Sequence, residues 1–153
     1  MSRALDVLYW IQKWLWRVFR PRTRGVKVML FNAKGELILI RNSYGRSDLF
    51  VLPGGGIKPF EEPKQAAMRE IKEELGYTIH GLAFLSTHAS SAEGKTDTVH
   101  LFKAIVDGEP IADRFEVQEA RFFATDDLPQ AISPATRRHI EEYLGDRPVD
   151  GSW

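Results

Sequence analysis

The chain has 153 residues, 43% hydrophobic and 27% charged, enough for one domain with a real core. Lysine plus arginine and aspartate plus glutamate balance at 21 each, which argues against a broad nucleic-acid-binding surface. The absence of cysteine excludes disulfides, zinc–thiolate sites and thiol nucleophiles, and suits a reducing, cytoplasmic setting. Residues 4–20 (ALDVLYWIQKWLWRVFR) predict an amphipathic helix, with Arg3, Asp6, Lys13, Arg17 and Arg20 on one sector. Leu8, Ile11, Leu15, Val18 and Phe19 lie opposite, and Trp10, Trp14 and Trp16 widen the apolar side. Lys13 and Arg17 interrupt the run, so it is not a membrane span, and it lacks the apolar centre of a signal peptide. Packing on its own domain is the first expectation for this helix. A homodimer contact comes second, and a peripheral membrane foot with arginines on anionic lipid comes last. Pro21 ends the helix, giving boundaries at 1–22, 23–146 and a loose tail at 147–153.

Residues 25–32 and 36–41 predict two strands joined by a turn at Ala33-Lys34-Gly35. The second, ELILIR, is almost wholly apolar and is expected to be buried on both faces. A polar loop follows from Asn42 to Asp48. Arg41 and Arg46 could meet phosphate oxygens there, and Tyr44 or Phe50 could stack on a base. The plainer reading is a pair of solvated arginines and a core phenylalanine.

Residues 52–77 (LPGGGIKPFEEPKQAAMREIKEELGY) carry the strongest signal. Gly54, Gly55 and Gly56 permit close backbone approach. A helix begins near Pro63, suited to the first turn, and ends at Gly76, suited to a left-handed cap. At about 100° per residue, Glu70, Glu73 and Glu74 share one sector. Ala67, Ile71, Leu75 and Met68 form the apolar stripe beside it, while Gln65 and Lys72 point to water. Like charges at such spacing repel by a few tenths of a kcal/mol. A solvated acidic face is the plain alternative; a hard divalent cation, Mg²⁺ or Mn²⁺, resolves the repulsion by taking carboxylate oxygens.

The full spacing runs Gly55, five residues, Glu61, seven residues, Arg69-Glu70-Ile71, one residue, Glu73-Glu74, one residue, Gly76-Tyr77. It resembles the Nudix box. The sequence departs from the usual pattern at Phe60, where a glycine is usual, at Tyr77, where an aliphatic residue is usual, and at Lys58, where an acidic residue is common. The resemblance implies an α/β (α+β) fold, an α/β/α sandwich with a mixed sheet. It also implies hydrolysis of a phosphoanhydride in a nucleoside diphosphate linked to another group, with Mg²⁺ or Mn²⁺. By the same resemblance Glu70, Glu73 and Glu74, with the Gly54 carbonyl, hold the metal, and the loop bearing Arg41 to Phe50 borders a nucleotide-type substrate. Glu61 and Arg69 are expected to pair and fix the loop on the helix.

Beyond the box, 78–87 and 97–107 predict strands, with a small polar loop between them that could cover the site. His88 is the histidine best placed to reach substrate, whereas His80 is read as a surface residue and His139 as structural or exposed. Near the last strand a glutamate of the family commonly returns to the metal; Glu119 matches best and Glu116 second. Proton transfer falls to Glu73, Glu74 or Glu119. Phe122 and Phe123 anchor that strand, and a final helix runs from Ser133-Pro134 to about Leu144. The alternative function is a non-catalytic nucleotide-sensing or partner-binding module, but such domains usually lose box carboxylates. An isoprenoid diphosphate isomerase on this fold would need a cysteine.

Overall fold

A computed structural model describes residues 6–11, 24–43, 48–92 and 95–153. Residues 6–11 are helical (α1). The strands are β1 (Arg24–Phe31), β2 (Leu37–Asn42), β3 (Gly54–Gly56), β4 (Ala83–Ala92), β5 (Lys95–Ile105) and β6 (Val117–Phe123), with helices α2 (Pro63–Leu75) and α3 (Pro134–Leu144). They form a six-stranded sheet in the order β4-β5-β1-β2-β6, with β3 beside β1. β1 and β5 run parallel and the other pairs antiparallel, so the sheet is mixed.

The pleat divides each central strand between two cores. Val26, Val28, Leu30, Ile38 and Ile40 face α2, where Ala66, Ala67, Ile71 and Leu75 cover them. Met29, Leu37 and Leu39 face the other way, toward Leu101, Ile132 and Ile140. β2 is therefore buried on both faces, as its continuous apolar run predicts. Burying each such aliphatic side chain stabilises by roughly 1.5–3 kcal/mol. Met68 does not join the stripe: it is 36% exposed, and the smaller Ala66 packs instead. The β1–β2 turn forms where expected, with Asn32 Oδ1 accepting the N–H groups of Lys34 and Glu36.

Three expectations are corrected. The described residues of the polar stretch between the predicted strands, 88–92 and 95–96, are themselves strand, in a ladder that pairs from Ala83↔Lys103 to Ala92↔Lys95. Such small polar residues read as loop, but hairpin pairing satisfies their backbone groups regardless of hydropathy. Second, residues 78–82 lie outside the strand, yet Ile79 is buried against the α2 core. Third, the tail is not loose. β4 is an edge strand, and the tail covers its open hydrogen-bonding groups at Ala89. Ala89 N–H donates to the Gly151 carbonyl at 2.9 Å, and Trp153 N–H donates to the Ala89 carbonyl at 3.0 Å.

Of the N-terminal helix, Trp10 meets the Phe115 ring at 5.6 Å, while Val7, Leu8, Tyr9 and Ile11 are exposed. The remainder of that predicted helix lies outside the described residues. No helix among the described residues is long and apolar enough to cross a membrane.

Candidate active site

The glycines of the box are set by contact distances. Gly54 has φ 150°, and a Cβ there would lie 2.0 Å from the Val26 carbonyl oxygen. A Cβ on Gly55 would lie 2.6 Å from the Glu70 carboxyl. The missing side chains thus let β3 pair with β1 and let the Glu70 carboxylate press against the strand. The connection to α2 turns at Lys58–Glu61, where Glu61 N–H donates to the Lys58 carbonyl and Lys58 N–H to Glu61 Oε1. Phe60 takes φ 64°, the left-handed conformation that the family's usual glycine adopts freely, and its side chain is fully exposed. Helix α2 then starts with Pro63 in its first turn and Glu62 N–H donating to Gln65 Oε1 at 3.2 Å. Gly76 closes it at φ 76°, donating to the Lys72 carbonyl.

Arg69 ties the loop to the helix. Its Nε and Nη2 donate to the two oxygens of Glu61 at 2.9 and 2.8 Å, a bidentate fork. Nη1 donates to Glu70 Oε1 at 2.8 Å, and Nη2 also reaches the Gly56 carbonyl at 2.9 Å. Glu73 Oε2 lies 3.6 Å from Nη1. Hydrogen bonding from Arg69 is the main cause that holds the Glu61 carboxyl below its ordinary range, and Glu61 in turn raises the guanidinium pKa.

Glu70 and Glu74 are almost fully buried, at 3% and 1% exposure, whereas the Glu73 side chain keeps 28%. A buried carboxylate pair on one helix face is costly unless cations compensate it. Arg69 supplies one positive charge there. The side-chain donors here are all carboxylate oxygens, which suits a hard divalent ion.

The two candidate glutamates before the last strand separate. Glu119 pairs with Arg41 across the β2–β6 ladder, accepting from Arg41 Nε at 2.9 Å. The Arg41 guanidinium sits 5.4 Å from the centroid of Phe50, which belongs to the core on the α3 face. Glu119 and Arg41 therefore lie on the side of the sheet away from α2. A register shift at Arg41/Asn42 separates them from the turn that precedes β6. Glu116 occupies that turn, 6% exposed. The turn is tied to α2, because Asp113 N–H donates to the Glu74 carbonyl at 3.0 Å and Val117 N–H to the Asp113 carbonyl at 2.7 Å.

Phe50 is 6% exposed and packs edge-on against Phe123, so it fills the core and has no face for a base. Tyr44 and Arg46 lie outside the described residues. His88 is also corrected: it is 1% exposed and contacts the His139 ring on α3, away from the box carboxylates. The small polar residues around His88 predict a loop, whereas β4 carries this side chain to the buried face beside α3. His80 is exposed, as expected, and His139 is buried.

A family model for the NUDIX domain matches residues 21–143. A relative from Bacillus subtilis (strain 168), provisionally named 8-oxo-dGTP diphosphatase, is 31% identical over 124 residues, covering 79% of each chain. The NAD-capped RNA hydrolase NudC of Stutzerimonas stutzeri (strain A1501) is 26% identical over 83% of this chain, which spans 46% of that protein. Among solved structures, the MutT NUDIX hydrolase from Burkholderia pseudomallei superposes with a TM-score of 0.70 at 28% identity, over 80% of this chain and 98% of that one.

Proposed function

The chain belongs to the Nudix family and is a pyrophosphohydrolase, and from that premise we propose that it cleaves a phosphoanhydride in a nucleoside diphosphate bearing a further group, with Mg²⁺ or Mn²⁺. One observation carries this reading: Arg69 gathers Glu61, Glu70 and Glu73 along one side of a helix that also buries Glu74. Glu70, Glu73, Glu74 and the Gly54 carbonyl would hold the ion. When bound, the ion supplies Lewis acidity, offsetting phosphate charge and lowering the pKa of adjacent water. Glu73 takes the proton, because it is the member of the trio open to water. Glu116 completes the carboxylate set, since its turn is bonded to α2. Glu119 is less suited, because Arg41 already neutralises it on the other face. Arg69 and Glu61 act by position, holding the Glu70 carboxylate in line. The intact carboxylates favour an enzyme over a nucleotide-sensing module.

The named relatives suggest which substrates to try first: nucleoside triphosphates carrying oxidised bases, and capped RNA ends, head the panel. The reading is tested by incubating the chain with that panel in Mg²⁺ and in Mn²⁺ and identifying products by mass spectrometry. Glu73→Gln and Glu74→Gln are expected to keep the fold and lower turnover by about 100-fold or more, roughly 3 kcal/mol of transition-state stabilisation. Near-normal turnover in both variants refutes the assignment.

A further inference from the structure

On the face of the sheet away from α2, His88 of β4 meets His139 and Glu142 of α3. Each offers a ligand atom, and these atoms lie within 4.8 Å of one another. Both imidazoles are 1% exposed and Glu142 is 9% exposed. Hydrogen bonds satisfy only part of this group. His88 Nε2 meets Ser86 Oγ at 2.6 Å, and His139 Nδ1 meets Glu142 Oε2 at 3.1 Å. Among the described residues, His139 Nε2 and Glu142 Oε1 are buried and have no hydrogen-bond partner, while the His88 imidazole also meets the Ser152 backbone. Leaving such an atom unsatisfied costs about 1–3 kcal/mol, so two at one place beside a second imidazole call for a ligand.

The surroundings are built. The His88 and His139 rings lie 4.3 Å apart, and Trp153 stacks on His139 at 4.2 Å with an interplanar angle of 16°. The tail that carries Trp153 is itself fastened to β4 at Ala89. Burial holds both histidines below their ordinary pKa, with the neighbouring His88 ring acting in the same direction on His139 and the Arg138 charge on both; Glu142 opposes it, as do Asp150 and a hydrogen bond to the Ser152 backbone at His88. Neutral imidazoles keep the lone pair that a metal requires.

We propose that His88, His139 and Glu142 form a second metal site, separate from the carboxylates of α2, that takes one zinc-type divalent ion. Two imidazoles and a carboxylate suit Zn²⁺, Co²⁺ or Ni²⁺, whereas the all-oxygen set of α2 suits Mg²⁺ or Mn²⁺. Zinc ligands at about 2.0–2.1 Å in a tetrahedron stand roughly 3.4 Å apart, so side-chain rotations closing the present spacing by up to about 1.4 Å bring the three ligands into place, with water as the fourth. Under the Trp153 ring the ion acts structurally. It clamps α3 to β4 and retains the tail, and its binding adds to fold stability by mass action.

The test is a Co²⁺ titration of the full-length chain in saturating Mg²⁺, read by visible absorption, for the wild type and for His139→Gln, Glu142→Gln and Glu74→Gln. The expected result is one equivalent of Co²⁺ with tetrahedral ligand-field bands in the wild type and Glu74→Gln, and loss of those bands in the other two. Zn²⁺ should also raise the wild-type thermal midpoint in the same Mg²⁺ background. Loss of the bands in Glu74→Gln with retention in His139→Gln places the ion in the box and overturns the proposal, as does no uptake by the wild type. Should His139→Gln or Glu142→Gln fail to fold, imidazole nitrogen spectra of the wild type decide. Shifts on Zn²⁺ addition confined to His88 and His139 uphold the site, and shifts confined to the exposed His80 overturn it.

Discussion

Arg69→Ala tests whether the box loop is held by charge. The substitution removes two hydrogen bonds to Glu61, one to Glu70 and one to the Gly56 carbonyl. It takes the Arg69 cation away from the Glu70 carboxylate, whose side chain is 4% exposed. Breaking a buried pair from one side costs about 3–5 kcal/mol. The Arg69 and Glu61 side chains keep 20% and 15% exposure, so water screens part of the loss, and the lower end, about 3 kcal/mol, is expected. In a domain of this size that lowers the thermal midpoint by roughly 6–12 °C. Glu61→Gln leaves Arg69 its other partners and should cost about 1.5 kcal/mol. The double variant should cost about 3 kcal/mol instead of about 4.5, a coupling of about 1.5 kcal/mol. Urea unfolding with a chelator present measures all four chains. Strict additivity would refute the contact and reassign Arg69 to substrate phosphate. The pH dependence gives a second reading. The Glu61 pKa is depressed below 4.5 in the fold, so its contribution is present above that pH and lost as pH falls through the folded value. The wild-type and Glu61→Gln stabilities should converge in acid.

The two box glycines should fail differently. At Gly54 a methyl meets the Val26 backbone, and Gly54→Ala is expected to give little folded protein by circular dichroism; at Gly55 it meets the end of the Glu70 side chain, so Gly55→Ala should fold, with weakened Mn²⁺ binding by calorimetry. Tyr77 donates to the Gly108 carbonyl at 2.8 Å, and burial, with Glu109 and Asp107 nearby, pushes its pKa up from 10.0 to about 12. Stability tied to this group is full below pH 10 and is lost as pH rises toward about 12, so urea unfolding of Tyr77→Phe should lack that alkaline decline. An identical decline in both chains would contradict the assignment.

Much of α2 was legible because its determinants are local. Pro63, Gly76 and the spacing of Glu70, Glu73 and Glu74 act within a few residues, as do capping, helix periodicity and left-handed termination. The apolar run of β2 likewise announces burial on both faces. Pairings across the sheet were not legible. The same composition at 88–96 suits a loop or an edge hairpin, and only pairing with β5 decided it. A shift of register at Arg41/Asn42 set Glu119 on the Arg41 face and left Glu116 in the turn bonded to α2. His88 and His139 are 51 positions apart and carry no shared local signal; β4 and α3 bring them together. The sequence by itself determined the box helix, its glycines and its carboxylates, because those effects act between near neighbours along the chain. Tertiary structure alone decided which distant groups share a face, because a strand's side-chain direction reverses at every residue and a single bulge reassigns it.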